Sequence, residues 1–220
     1  MKKRDCIVAS LLAFVMLALV SVPARAQNAT DDFGTWTSLQ VVKSFGAPYV
    51  MARLEHRSYR NVTGTESWFV MAGGGFNFTK WLKGDLSYEF WKIPSAENIT
   101  QHKGVLSFTE TLRRDNLAFA LREKYEFAYI PEKQSFRNTL RIRLRGQYTI
   151  PESIFTPYLM YEFFSSLDGR GWIRSLHYAG MDIALGKGHF LDFFYMYHLY
   201  GTSGPNGSRH LLGLGYTFAF

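Results

Sequence analysis

The chain ends RHLLGLGYTFAF, Arg209 to Phe220. Every second residue backwards from Phe220 gives Phe218, Tyr216, Leu214, Leu212 and His210. The set between them is Ala219, Thr217, Gly215, Gly213, Leu211 and Arg209. Alternation with period two is that of a β-strand, whose successive side chains point to opposite faces. One face of this strand is aromatic and aliphatic, and the other is mostly small. Such a strand needs an apolar surround on one side only.

The opposite end shows where that surround is to be found. Lys2, Lys3 and Arg4 precede an apolar run from Cys6 to Val20, and Ala24-Arg25-Ala26 follows it. A basic start, a short apolar core and an A-x-A site make a cleaved signal peptide, residues 1–26. The run is shorter than the roughly twenty residues a spanning helix needs. Cys6 leaves with the peptide, and it is the only cysteine, so no disulfide is expected. Removing Lys2, Lys3, Arg4, Arg25 and Asp5 from the formal charge of +7 leaves +4, too mild to argue for nucleic acid.

Aromatic residues make up 17% of the chain, yet mean hydropathy is slightly negative. A membrane barrel reconciles the two, because apolar lipid-facing residues alternate with polar lumen-facing ones. The expected fold is therefore all-β: a transmembrane, antiparallel, up-and-down β-barrel. Tyr216, Phe218 and Phe220 then form the terminal signal read by the barrel-assembly machinery.

Period-two segments separated by turns run through the rest of the chain, each about as long as the nine to eleven residues a tilted strand needs to cross a bilayer. Turns of alternating length separate them, the longest being the loop Pro94 to Lys103. Ten segments from Tyr49 onward alternate up and down correctly from Phe220. Phe33 to Ser44 is an eleventh and a misfit, since Trp36 does not share the parity of Leu39 and Val41. Both termini on one side of the membrane require an even number, so about ten strands are expected over 49–220, with twelve as the alternative. Residues 27–48 form an N-terminal segment, either inside the lumen or paired at the seam.

The parities turn one set of charges inward: Arg53, Glu55, Arg57, Lys83, Asp85, Glu89, Arg122, Lys124, Glu126, Arg141, Arg143, Arg145, Glu162 and Asp182. A simple register after the turn at 150–153 sets Arg141 opposite Glu162. Gly73 and Gly75 leave room for long side chains from the Arg53 strand. Glu66 is placed in a loop, near Arg60. Trp68, Tyr88, Phe90, Trp91, Tyr195, Tyr197 and Tyr216 read as lipid-face and interface aromatics. Glu123 falls on the lipid face in mid-strand unless a bulge re-aims it.

Arg53-x-Glu55-x-Arg57, Leu121-Arg122-x-Lys124-x-Glu126, Arg141-x-Arg143-x-Arg145 and Tyr161-Glu162-Phe163 together resemble the outer-membrane barrels grouped as domain of unknown function 2490. The resemblance spans most of the mature chain. It implies a fold and a location, the outer membrane of a Gram-negative bacterium, and no chemistry.

Two kinds of function compete. The inward charges can neutralise one another and plug the lumen, because a small barrel is about filled by its own side chains. The protein is then structural, or offers a narrow passage or binding site at the cell surface, without catalysis. In a sharper form the arginines attract anions or phosphate-bearing head groups. The alternative is a lipid hydrolase, phospholipase or lipid A deacylase-like, with His56 and Ser58 on the lipid face. A nucleophile there needs its base within hydrogen-bond reach and a third group to orient that base. The histidines are dispersed without metal-ligand spacing, so neither metal nor cofactor is expected. The expected partners are outer-membrane lipid and the assembly machinery, for a monomer.

Overall fold

The computed structural model describes residues 32–169, 171–201 and 208–220. The expected signal peptide and Gln27 to Asp31 lie outside the described residues. Eleven strands follow one another: β1 (Asp32–Ser44), β2 (Pro48–Tyr59), β3 (Gly64–Asn77), β4 (Leu82–Ile93), β5 (Ile99–Arg114), β6 (Leu117–Ile130), β7 (Ser135–Tyr148), β8 (Phe155–Ser166), β9 (Gly171–Gly186), β10 (His189–Tyr200) and β11 (Ser208–Ala219). One helical turn among the described residues, Pro131–Lys133, interrupts these eleven strands between β6 and β7. No helix among the described residues is long and apolar enough to cross a membrane.

Each strand pairs antiparallel with the next, and β1 closes the ring on β11. The expected barrel is present, with eleven strands where parity counts ten or twelve. The extra strand is the misfit. β1 runs parallel to β11, in unbroken register from Asp32 beside Arg209 to Val42 beside Ala219. Its other edge pairs antiparallel with β2, Trp36 lying beside Arg57. The mixed parity of β1 has a simple cause: Leu39 and Val41 face outward, 49% and 38% exposed, while Trp36 turns inward onto Arg57. A parallel seam removes the requirement for an even number, so the first strand starts at the end opposite Phe220.

The outer surface is apolar all round. Every strand contributes exposed large apolar side chains, from Leu39 on β1 through Leu86 and Leu144 to Leu214 on β11. In water so large a continuous patch would drive association; the band suits a bilayer. Polar groups at its edges are paired. His102, His189 and His210 are hydrogen-bonded with the hydroxyls of Tyr88, Tyr216 and Tyr195. Pairing between β6 and β7 runs without a bulge, so Glu123 stays outward, its neighbours Phe108 and Ile142. Trp91 departs from the interface role expected of it. It shares the inward parity of Glu89, is 6% exposed, and stacks on Phe69 with ring centroids 4.2 Å apart.

Connections are shortest at the end shared with Phe220, as at 115–116 and 187–188, although 149–154 is longer. The long loop expected at Pro94 to Lys103 contracts to 94–98, because Ile99 to Lys103 already belong to β5. At this opposite rim Glu132 accepts a hydrogen bond from the Thr100 N–H at 2.9 Å, and its bonding to Thr100 holds its carboxyl below the usual carboxylate range.

Inside, the small face of β11 receives rings from its neighbour. A Cβ on Gly213 would fall 1.9 Å from the Phe194 ring, and one on Gly180 would fall 2.5 Å from Tyr158. Tyr158, Phe164, Leu176, Tyr178, Met196 and Leu211 make a buried cluster, with Trp36 and Phe194 packed against it. One side of the lumen is thus filled with apolar side chains. The other is left to the charges. Gly213→Leu should lower unfolding free energy by about 1–3 kcal/mol through overpacking, with partial recovery when Phe194→Ala is added. An unchanged urea midpoint for the single variant in detergent would show that the ring does not occupy the glycine.

Candidate functional site: the charged lumen

Inward charges come from every strand, most of them from β2 and β4 to β9, where period two sets them on the concave face. An unpaired charge inside a barrel wall is costly, so each must find an opposite charge or a ring face. The carboxylates act as hubs. Glu55, 3% exposed, lies between Arg53 and Arg57 on its own strand and accepts from Arg57 Nε at 2.7 Å. Glu126 gathers Lys103 and Lys124, each at 3.8 Å, together with Arg141. Glu162, fully buried, takes Arg141 at 2.9 Å and Arg143 at 3.2 Å. Arg141 therefore joins two acids on the strands either side of it.

The remaining links reach further. Lys124 on β6 lies 3.8 Å from Glu89 on β4, and the Trp91 indole N–H donates to the same carboxylate at 2.7 Å. Asp85 accepts from Tyr49, from Ser107 at 3.1 Å and from Arg122 at 3.4 Å. Arg145 on β7 pairs with Asp182 on β9, across β8. Tyr158 donates to Asp192 at 2.7 Å. Rings take up what the acids leave: Arg57 lies 3.7 Å over Trp36 and 4.6 Å over Trp91, and Arg145 lies 3.8 Å over Tyr158. Such contacts suit guanidinium, a flat cation that stacks and still donates from its edge.

The residues expected in the network, Arg53, Glu55, Arg57, Asp85, Glu89, Arg122, Lys124, Glu126, Arg141, Arg143, Arg145 and Glu162, all lie on this inner face in the structure. Several details differ from the simple register. Arg143 is the Cα partner of Glu162, and Arg141 stands beside Phe164, two residues away; its long side chain still reaches the carboxylate. Gly75 makes room for the Tyr49 ring and Gly73 for the backbone beside Ser87, so neither hosts an arginine of β2. Glu66 belongs to β3 and meets Arg209 at 2.9 Å, not Arg60. Sequence reading overlooked Lys103, Arg174, His198 and Arg209. Their signal is the same parity: Lys103 falls in the expected loop and belongs to β5, while Arg174, His198 and Arg209 lie within expected strands.

His56 and Ser58 sit near the end of β2 and are not brought together. A register shift after Arg57 buries Ser58 to 3% exposure, where its hydroxyl meets Thr35 N and Oγ1, each at 2.8 Å. His56 Nε2 lies 3.2 Å from Thr65 Oγ1. Tyr216 and Phe218 face outward on β11, and the chain end is fastened to β1, with Ser44 N donating to Phe220 O at 3.1 Å and Phe220 N to Val42 O at 3.0 Å.

The exposures separate the pairs energetically. Glu162→Gln leaves two guanidinium groups around a neutral amide in a dry place, and should destabilise by about 3–5 kcal/mol. Asp182 is about one-third exposed, so Asp182→Asn should cost under about 1 kcal/mol. Urea unfolding in detergent micelles measures both, and equal losses would contradict the burial argument.

The family model described as "Protein of unknown function (DUF2490)" matches residues 33–209, nearly the whole barrel. No curated protein matches the sequence. Among solved structures, the chain is similar to a NanC porin in a rhombohedral crystal form, at 13% identity, covering 74% of this chain and 86% of that one with a TM-score of 0.48. By the extent of the family match, this chain belongs to the DUF2490 family.

Proposed function

We propose that the protein is an outer-membrane β-barrel whose lumen is held closed by interlocked ion pairs, and that it serves the cell surface as a structural and binding element without catalysis. One observation carries this reading: Arg141 bridges Glu126 and Glu162 deep in the barrel, while Lys124 ties the same cluster to Glu89. Four strands, β4 and β6 to β8, are thereby cross-linked on the inner face by groups that a passing solute would have to separate. The apolar filling around Tyr158 and Met196 supports the same view from the other wall.

Location follows from the outer face together with the amino-terminal signature. The chain is exported through a signal peptide cleaved after Ala26, enters the outer membrane of a Gram-negative cell, and places Phe220 at the periplasmic end. It remains a monomer surrounded by lipid. Tyr216, Phe218 and Phe220 are what the assembly machinery reads. This reading is preferred over a lipid hydrolase because His56 and Ser58 bond to Thr65 and Thr35, not to each other.

Two experiments test it. Planar-bilayer recording of the wild-type protein should give no discrete conductance steps, whereas the combined Arg141→Ala, Arg143→Ala and Glu162→Ala variant should give them. Steps from the wild type would overturn the closed lumen. Deleting Phe220 should reduce by several-fold the membrane fraction that shows the heat-dependent gel shift of folded barrels, and unchanged insertion would remove the assembly-signal assignment.

A further inference from the structure

Beyond the closed middle of the lumen, the end opposite Phe220 gathers basic side chains, of which Arg174 has no ion pair among the described residues. Arg174 on β9, His198 on β10, Arg209 on β11 and Arg57 on β2 all stand within the last few residues of their strands at that end. Pairing brings them together: His198 lies beside Arg209, and Tyr200 beside Arg174. His198 also feels Arg57, Arg174 and Arg209 electrostatically, and Arg174 feels Arg57.

The acids nearby are already engaged. Asp32 and Glu66 are held by Arg209 at 3.1 and 2.9 Å, and Glu55 is shared between Arg53 and Arg57. Arg174 has no carboxylate at ion-pair distance among the described residues, Glu66 and Glu126 acting on it only from further away. Its guanidinium rests 4.2 Å over the Phe164 ring, a contact that occupies the face and leaves the N–H edge available. Four buried donor or acceptor atoms here have no hydrogen-bond partner: Arg174 Nε, His198 Nε2, Trp36 Nε1 and Arg209 Nε, the last still ion-paired with Asp32 at 3.1 Å. His198 is 3% exposed, with its ring against Tyr200 at 4.1 Å. A buried imidazole nitrogen left unpaired amid three guanidinium groups is a cost that a bound group would relieve.

We propose that this end of the lumen is a binding site for the phosphate group of a soluble ligand, held by the Arg174 edge with His198 and Arg57 completing the cradle. Phosphate suits it because a tetrahedral dianion accepts from several converging donors, and guanidinium matches its oxygens two at a time. The sheet walls the site from the surrounding lipid, so the ligand of this proposal is a soluble one entering along the lumen from this end, not a bilayer head group. The site adjoins the ion pairs that close the middle, Arg141 and Arg174 resting on the same Phe164 ring, and binding there does not require a conducting lumen.

Calorimetric titration of the full-length mature barrel with inorganic phosphate, in uncharged detergent micelles, is the test. Saturable one-site binding is expected. Arg174→Gln should weaken it about tenfold or more, the loss of a charge-assisted contact worth at least ~1.4 kcal/mol. His198→Phe keeps the ring on Tyr200, removes the nitrogen, and should weaken binding several-fold. Lys80→Gln, in the exposed turn between β3 and β4 at the Phe220 end, should leave it unchanged. The heat-dependent gel shift must be retained by every variant compared. Absence of saturable binding by the wild type, or equal affinity in Arg174→Gln, would overturn the proposal. Adding phosphatidic acid to the micelles should not alter the phosphate affinity; competition would show that head groups reach the cradle and would overturn the soluble-ligand assignment. The result is independent of the bilayer recordings, so either reading can fail alone.

Discussion

Everything in this molecule depends on closing the sheet. Inside a bilayer no water is at hand for an unpaired strand edge, so a spanning sheet must join its first strand to its last. Here β1 and β11 meet parallel along almost their whole length, and the terminal residue itself is bonded to Ser44 and Val42. Closure creates the two environments that the remaining side chains answer. Outward residues meet lipid, and inward residues meet one another.

The inner environment is demanding because charge in a low-dielectric space is expensive unless paired. The chain places more guanidinium and ammonium groups there than a one-to-one pairing would use. Three devices accommodate them. Glu126 and Glu162 each serve several cations; hydroxyl and indole donors such as Ser107 and Trp91 complete the acids; and ring faces take the arginines that remain. The outward face is simpler, and Glu123 is its exception. A bulge would have turned it inward, but the uninterrupted pairing of β5, β6 and β7 keeps it beside Phe108 and Ile142.

Much of this was legible beforehand, and the reason lies in period two. Because alternate residues must face opposite sides, Arg141, Arg143 and Arg145 are inward whatever the register, and Leu140, Ile142 and Leu144 outward. Register itself is a different matter. Arg141 meets Glu162 as expected but from a position two residues further along, since guanidinium reach tolerates such a shift. Trp91 was misread because aromatic identity suggested an interface, while its parity with Glu89 already said lumen. Ser58 was misread because a register shift after Arg57 changes its surroundings, and nothing local announces that shift.

The amino-acid order alone determined which face each strand residue occupies, that the fold is a membrane barrel, and which charges share its interior. These depend on local alternation and on composition, which a one-dimensional reading contains. Only the tertiary structure decided the strand number, the parallel seam, the partners of each arginine, and the gathering of Arg174, His198 and Arg209 at one end. Those depend on where the ring closes and how far each strand is staggered against the next, properties of the whole sheet that no single strand carries.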